Sequence, residues 1–323
     1  MMRVLWTPFC LVCSPCRWIR VMSSLSLQRH IRYLLEFLAV LLSLRVFRVL
    51  SLDGASSFGG WMAELIGPRL RKNSRAKKNI MMIFPEWSEA EVEKVLKGMW
   101  NNLGRVFGEY AHLKNIGLSS PDCRIELLGR EHVQRLNEDG IGGILVSGHM
   151  GNWELLSLVS AQCGVPLLNL YRAANNPYVE KLLLQARGIV GGAHHPKSIS
   201  GVRALIEGLK NNRHVGMLTD QKYNEGMLVP FLGREAMTTN APADLAIRFN
   251  VPLVPARVER ISGAYFRVTV LPPIPLPDSG NLETDKRCLT ETINKLFSSW
   301  IREKPEEWLW MHRRWPREDD KRV

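Results

Sequence analysis

The sequence predicts an α/β fold in which a mostly parallel central sheet is flanked by helices. Short apolar runs rich in β-branched residues alternate with longer segments of helical periodicity, the pattern of strands joined by helical crossovers. The 323 residues are 46% hydrophobic, which is enough for a sizeable core. His149, Arg172 and Asp220 each follow a separate predicted strand. Because α/β proteins place their sites at the carboxyl ends of strands, we expect a site there.

The predicted elements rest on local signals along the chain. A capping box at Ser88 and Glu91 begins a helix, and apolar spacing extends it to about Leu113. Strands are predicted at 125–128, 144–146, 165–172 and 214–219. Further helices are predicted at 131–136, from 153, and at 176–188, 201–210, 240–250 and 281–303. The remaining segments are predicted as an apolar loop that lines a groove or is buried (228–239), a β-rich region (251–271) and a rigid linker (272–277).

The stretch 142–156 places a histidine and a carboxylate five positions apart, at His149 and Glu154. On one ideal helix, positions five apart point about 140° away from each other. The two side chains can therefore meet only if His149 lies in a turn before a helix that carries Glu154. A turn histidine oriented by a carboxylate is suited to removing a proton from an alcohol. The alternative is a loop histidine followed by an acidic residue that favours the helix N-terminus.

The N-terminal part divides into two segments. Residues 1–28 are interpreted as a leader dispensable to the fold, and its cysteines 10, 13 and 16 lack a nearby fourth ligand for zinc. Residues 29–50 are predicted to form a membrane-associated helix. Their uncharged core, 37–44, is shorter than the roughly 20 residues that span a bilayer, and arginines flank it on both sides. Partial insertion into one leaflet is favoured, and a buried helix of a soluble protein is the alternative. The folded domain is predicted at 51–316, and 317–323 is a charged tail.

The charge balance predicts an anionic partner. The chain has 43 basic and 31 acidic residues, a net charge of +12 and a pI near 9.6. Six cations and no acid lie within residues 69–78, which predicts contact with anionic headgroups or an anionic substrate, or else a solvated helix face. Aromatic residues do not interleave these charges, so nucleic acid is not expected. The six cysteines are not spaced as a disulfide framework, which favours a reducing compartment.

Several stretches, in order, resemble the late acyltransferases of lipid A biosynthesis. The first is the His-Met-Gly-Asn-Trp-Glu block at 149–154, which is similar to the family's His-x4-Asp/Glu motif. The others are Tyr-Arg at 171–172, Thr-Asp-Gln at 219–221, Val-Pro-Phe-Leu-Gly at 229–233 with Thr-Thr at 238–239, Val-Pro-Ala at 254–256 and the aromatic and basic run at 307–315. The mixture of aromatic and basic residues at 308–315 is by itself typical of a segment at a membrane interface. The resemblance covers roughly residues 30–316, so it identifies 51–316 as an acyltransferase domain with a glycerolipid-acyltransferase-like fold.

The resemblance implies a reaction and roles for the site residues. The donor would be a thioester of acyl carrier protein, and the acceptor a 3-hydroxyacyl chain of a Kdo-bearing lipid A precursor at the cytoplasmic face of the bacterial inner membrane. We expect His149 to act as the base and Glu154 to fix its tautomer. Arg172 would neutralise negative charge, Asp220 would hold Arg172 or another cation, and Gln221 would bind substrate or stabilise charge. No metal or cofactor is expected. Acyl-chain length, the acylated position and the oligomeric state are not predicted.

Three other functions are compatible with the residues. The first is acylation of another lipid alcohol, such as a lysophospholipid or a mannosylated phosphatidylinositol. The second is a metal-dependent hydrolase that uses His149, Glu154, Asp220 and the His194–His195 pair as ligands, although their spacing is not that of a usual metal site. The third is a non-catalytic lipid-binding membrane protein.

Overall fold

The computed structural model describes residues 27–120 and 122–316, and within them the predicted α/β fold is confirmed. Its helices are α1 (Leu27–Val49), α2 (Leu52–Ile66), α3 (Arg71–Ile83), α4 (Glu89–Glu109), α5 (Arg130–Glu138), α6 (Glu154–Gln162), α7 (Pro177–Arg187), α8 (Ile199–Lys210), α9 (Ala241–Phe249) and α10 (Leu282–Glu303). Short 3-10 turns lie at Gly67–Arg69, Tyr110–Asn115 and Pro305–Glu307. The predicted leader, apart from its last two residues, and the predicted tail lie outside the described residues.

The strands form one large sheet and one hairpin. They are β1 (Ile125–Leu128), β2 (Ile144–Ser147), β3 (Leu167–Tyr171), β4 (Ala193–Pro196), β5 (His214–Leu218), β6 (Met227–Phe231), β7 (Arg234–Thr238), β8 (Leu253–Ser262) and β9 (Tyr265–Val270). The large sheet has the order β1-β9-β8-β2-β5-β3-β4, and its pairs are parallel except for β8–β9. The order places β5 directly beside β2, although about 66 residues separate them along the chain. This neighbourhood brings their carboxyl ends together.

The core lies on both faces of the sheet. Every residue of β2 is buried, and its side chains alternate between the two faces. Ile144 and Val146 pack with residues of α3, α4, α8, α9 and α10, whereas Leu145 packs with residues of α5 and α6. Helices therefore cover both faces, and the fully buried β2 supports the turn that follows it.

Helix α1 coincides closely with the segment predicted to associate with a membrane. It packs against α7, where Asn176 donates a hydrogen bond to the Tyr33 carbonyl at 2.8 Å and Tyr178 pairs with the His30 ring nitrogen at 2.9 Å. Most of its other apolar side chains are exposed. Across residues 27–120 and 122–316, no helix has the length and apolar content needed to cross a membrane.

Two segments differ from the predictions. Residues 228–239, predicted as a loop, form the β6–β7 hairpin, in which Val229 and Phe231 alternate with exposed residues. Its two-residue turn at Leu232 and Gly233 has positive φ at both positions, as in the turns that join antiparallel strands. β4 contains His194 and was not predicted, because this edge strand is only partly buried and lacks an apolar pattern.

The aromatic and basic segment 308–315 is also placed differently. Its mixture of tryptophan and arginine was interpreted as typical of a membrane interface. In the structure Trp308, Trp310 and Trp315 are buried in the core, and the fully buried Arg314 lies over the Phe231 ring with its Cζ 4.3 Å from the ring centroid. The interfacial interpretation of this segment is therefore wrong, since it packs inside the domain beside the sheet.

Candidate active site

The turn after β2 holds the predicted histidine. His149 lies in this turn, and Glu154 is the first residue of α6, so the predicted arrangement of a turn histidine and a helical glutamate is confirmed. Gly151 has φ of +53°, and a Cβ at this position would lie 2.5 Å from the Val258 carbonyl oxygen. Only glycine fits this close approach at a positive φ without displacement.

A buried polar network fixes the part of this turn that follows His149. Asn152 donates a hydrogen bond from Nδ2 to Glu109 Oε2 at 2.9 Å, and Asn102 donates to the Gly151 carbonyl at 3.0 Å. Arg260 binds the same Glu109 carboxylate through Nη2 at 3.1 Å and Asn102 Oδ1 through Nε at 2.9 Å. Because Glu109 is fully buried, these partners satisfy a charge that water cannot reach. The network therefore holds the backbone on the C-terminal side of His149.

His149 is paired with Asp220, which follows β5. The Nδ1–H of His149 donates to Asp220 Oδ1 at 2.7 Å, and the backbone N–H of His149 donates to Oδ2 at 3.1 Å. The indole Nε1–H of Trp308 donates to the same Oδ2 at 2.8 Å. Asp220 is 1% exposed, so these N–H groups take the place of bulk water around its carboxylate. Its two oxygens fix both the backbone and the ring of the histidine.

The electrostatics favour an imidazolium–carboxylate pair. Burial alone would raise the pKa of Asp220, but the charge and hydrogen bond of His149, together with the Trp308 N–H, lower it well below its usual range. Burial opposes protonation of His149, but the Asp220 charge, its hydrogen bond and the more distant Glu154 charge outweigh burial and raise the histidine pKa. Nδ1 therefore keeps its proton beside an ionised carboxylate, and Nε2 is the nitrogen that can accept one.

Glu154 lies near His149 but has other partners. Its Oε1 accepts a hydrogen bond from the Tyr110 hydroxyl, and Arg187 Nη2 lies 3.9 Å from the same oxygen. Burial and the adjacent Glu154 charge raise the pKa of Tyr110 well above its usual value, so this phenol stays protonated as a donor. The hydrogen bond that sequence spacing assigned to Glu154 is made by Asp220 instead. The reason is that β2 and β5 are neighbours, whereas the start of α6 directs Glu154 toward Tyr110.

The predicted substrate-binding residues are separated. Arg172 follows β3 and is exposed, and within the described part of the chain it has no hydrogen bond or ion pair. The cation that Asp220 holds is His149 rather than Arg172. Gln221 is brought into the site, with its amide nitrogen 3.3 Å from His149 Nε2.

The structure adds two residues that were not predicted to belong to the site. Trp308 contacts Asp220, and His312 Nε2 lies 3.2 Å from the Gln221 amide nitrogen. Asn79 of α3 fixes this segment by donating to the carbonyls of Trp310 and His312 at 2.7 and 2.9 Å. The sequence signal was the run 307–315, but composition alone could not place it beside a strand some 88 residues earlier.

The proposed alternative metal ligands are not assembled. His194 lies on the edge strand β4, and its Nε2 is buried without a hydrogen-bond partner among the described residues. Burial lowers the pKa of His194 despite the nearby Glu154 charge. Within residues 27–120 and 122–316, His, Cys, Asp and Glu side chains nowhere form a group of three that could hold a metal ion.

Comparisons with known proteins cover most of the chain. A family model described as bacterial lipid A biosynthesis acyltransferase matches residues 22–317. The lipid A biosynthesis lauroyltransferase of Escherichia coli K12 is 26% identical over 256 residues, or 76% of this chain and 79% of that protein. The palmitoleoyltransferase of the same organism is 25% identical over 252 residues, covering 76% and 78%. The phosphatidylinositol mannoside acyltransferase of Mycobacterium tuberculosis is 21% identical over 251 residues, covering 74% and 76%.

Proposed function

The chain belongs to the bacterial lipid A biosynthesis acyltransferase family and is thus an acyltransferase acting on lipid A, and we propose that it uses acyl carrier protein as donor. The acceptor in this proposal is a hydroxyacyl chain of a Kdo-bearing lipid A precursor, so the product carries a secondary acyl chain. The observation that best supports the chemistry is the 2.7 Å hydrogen bond between His149 and Asp220 at the ends of adjacent strands.

His149 supplies the base. With Nδ1–H held by Asp220, Nε2 takes the proton of the acceptor hydroxyl as its oxygen attacks the thioester carbonyl. The tetrahedral intermediate collapses with cleavage of the C–S bond, and the proton on Nε2 passes to the departing thiolate. Asp220 stabilises the imidazolium that exists between these two transfers. A thioester is reactive enough for this route to need neither a metal nor a cofactor.

Glu154 and Arg172 act on charge rather than on the histidine tautomer. Tyr110 holds the Glu154 carboxylate in place. The negative charge of Glu154 favours the imidazolium form of His149 without a direct hydrogen bond between the two side chains. Arg172 is exposed beside β3 at the same edge of the sheet as His149, which suits it to an anionic group of the incoming lipid. The acceptor phosphates and Kdo carboxylates are such groups.

The surface supports action at a membrane. Residues of α1 that share one exposed apolar stripe recur every three or four positions: Leu27, Ile31, Leu34, Leu35, Leu38, Leu42, Val46 and Val49. A helix with such a stripe and flanking arginines is suited to lie in the headgroup region with its apolar side buried. We place it at the cytoplasmic face of the bacterial inner membrane, where the basic segment 69–78 can meet carrier protein or anionic lipid.

The proposal is tested by acyl transfer with purified protein. The assay uses acyl carrier protein thioesters and the Kdo-bearing precursor in detergent micelles, and mass spectrometry reads the product. His149→Ala and Glu154→Ala are expected to lose most turnover. His132→Ala is the matched control, because His132 is a partly exposed histidine of α5 whose nearest acid lies 3.7 Å away. Near-normal turnover by His149→Ala would remove the base assignment, and failure of the unaltered protein to acylate the precursor would remove the substrate assignment.

A second acceptor is favoured by one comparison. The similarity to a phosphatidylinositol mannoside acyltransferase supports transfer to a mannosylated lipid by the same chemistry. Adding a phosphatidylinositol mannoside and a lysophospholipid to the acceptor panel separates the possibilities, because each acylated product has a distinct mass.

A further inference from the structure

Gln221 lies between two histidines of the site. Its side-chain amide nitrogen is 3.3 Å from His149 Nε2, 3.4 Å from His149 Nδ1 and 3.2 Å from His312 Nε2, so it lies against the His149 ring beside both ring nitrogens. Centroids of the two imidazole rings are 6.0 Å apart, so a single amide group bridges the gap. The amide therefore contacts the ring whose Nε2 acts as the base in the proposed function, on which the inference below rests.

The tautomers define the direction of these hydrogen bonds. Because Nδ1–H of His149 donates to Asp220, Nε2 of the neutral ring carries a lone pair and needs a donor. An amide –NH2 group has two hydrogens and can supply one to each imidazole nitrogen. The opposite orientation would place the amide oxygen against the lone pair of His149 Nε2. The –NH2 group therefore faces both rings in the form of the site in which His149 is neutral and can act as the base.

His312 is kept neutral, as this arrangement requires. Burial lowers its pKa to about 4, and the adjacent His149, Lys72 and Arg75 charges act in the same direction, opposed only by Asp220. The backbone of the same segment is fixed by Asn79, which donates to the His312 carbonyl at 2.9 Å. His312 thus presents a stationary acceptor to the second amide hydrogen at neutral pH.

We propose that Gln221 donates a hydrogen bond to the oxyanion of the tetrahedral intermediate and that His312 is the positioning residue that holds the Gln221 amide for this task. When the acceptor hydroxyl binds His149 Nε2, it replaces the Gln221 N–H there and frees that hydrogen. The amide nitrogen, 3.3 Å from Nε2, is then within hydrogen-bond reach of atoms beside the attacking oxygen. The second amide hydrogen stays on His312 and keeps the group from rotating away.

The reaction transfers one proton and exchanges a C–S bond for a C–O bond. The hydroxyl proton moves to His149 Nε2, the C–O bond forms, and the carbonyl electron pair moves onto oxygen, where the freed Gln221 N–H meets it. Return of that pair re-forms the carbonyl and breaks the C–S bond, and the proton on Nε2 passes to the thiolate. Gln221 exchanges no proton, and its hydrogen bond is strongest when the carbonyl oxygen carries charge. It therefore stabilises the transition state more than the bound thioester.

The first test compares Gln221→Ala with the isosteric Gln221→Glu, which removes both donors without changing the shape. Both are expected to lower kcat by about 10²- to 10³-fold with the KM for the acyl carrier protein thioester little changed, as for loss of an oxyanion donor. Far-UV circular dichroism and melting temperature show whether each variant is folded. A kcat within threefold of normal in a folded variant would overturn the assignment of Gln221, and so would a loss confined to KM.

The second test concerns His312 and uses a double-mutant cycle. His312→Leu removes the acceptor and is expected to lower kcat about 10- to 100-fold, the cost of misplacing a catalytic group. His312→Gln restores an acceptor near the same position and should recover most of that loss. If His312 acts through Gln221, adding His312→Leu to Gln221→Ala lowers kcat little further. Additive losses, or no recovery by His312→Gln, would overturn the positioning role. His149→Ala distinguishes failure of this inference from failure of the proposed function. If His149 is essential and Gln221 is dispensable, only the inference about Gln221 is refuted.

Discussion

Replacement of Asp220 by Asn tests whether the buried carboxylate controls the base. The carboxylate accepts from three N–H groups: the ring and backbone of His149, at 2.7 and 3.1 Å, and the Trp308 indole at 2.8 Å. The amide of Asn has a single acceptor oxygen. If that oxygen accepts from the His149 backbone N–H and the Trp308 indole N–H, the –NH2 group of the introduced amide faces His149 Nδ1. The ring must then carry its proton on Nε2, where it blocks the attack.

The expected loss follows from these contacts. A hydrogen bond to a charged partner contributes about 1.5–3 kcal/mol, and restoring the productive tautomer against a facing –NH2 costs about 1–2 kcal/mol more. A total near 4 kcal/mol lowers kcat about 10³-fold. The pH profile changes as well. The unaltered enzyme gains activity as pH rises through the raised pKa of His149, since the base must be neutral. Without the Asp220 charge, burial dominates and the remaining activity begins at lower pH.

The assay measures kcat for acyl transfer between pH 5 and 9 (about the working range of a histidine base), with folding checked by circular dichroism. Asp278→Asn is the matched control, because Asp278 is exposed and lies away from the site. A folded Asp220→Asn variant that keeps more than about a tenth of kcat, a loss below about 1.4 kcal/mol, would refute this role of Asp220. The role would also be refuted if Glu154→Gln shifted the acid side of the kcat–pH profile more than Asp220→Asn does.

Three further predictions concern the groups that hold the site. Gly151→Ala is expected to lower the free energy of unfolding by about 2–4 kcal/mol and to reduce kcat. Gly140→Ala is the control, because Gly140 also has a positive φ but open space around it, and it should cost about 1 kcal/mol. Urea unfolding measures both, and equal losses would contradict the steric argument. Arg260→Met leaves the buried Glu109 carboxylate without its cation and should lower the free energy of unfolding by about 3–5 kcal/mol. Arg267→Met removes a half-exposed ion pair and should cost less than about 1 kcal/mol. Similar melting temperatures of the two variants would contradict this difference. Tyr110→Phe should lower kcat about tenfold while the fold persists, because the Glu154 carboxylate loses the hydrogen bond that fixes its charge near His149. An unchanged kcat would show that Glu154 does not need this hydrogen bond.

Local signals in the sequence predicted the elements that carry the site. The apolar run at 144–146, the glycine-containing turn and the start of the next helix were located correctly, as was the capping box at Ser88. These features depend on neighbours within a few residues, so the sequence contains them directly. The position of His149 followed from the geometry of a single helix.

The partner of the histidine could not be obtained in this way. Sequence spacing favours Glu154, but strand order decides the contact, because β5 lies beside β2 and brings Asp220 to Nδ1. Nothing local specifies that order. The same limit applies to Trp308 and His312, whose aromatic and basic surroundings resemble an interfacial segment until packing against the sheet makes them part of the site.

The distance along the chain between Asp220 and Trp308 determines when activity can appear during synthesis. Trp308 is made 88 residues after the carboxylate that it contacts, and the buried segment around it closes one side of the histidine. A ribosome-bound chain that has not yet released this segment already contains His149, Glu154 and Asp220, but its Asp220 carboxylate lacks the Trp308 N–H donor and the cover of the Trp308 ring. We therefore expect acyl transfer to begin only after the buried tryptophans at 308, 310 and 315 have been added to the folded chain.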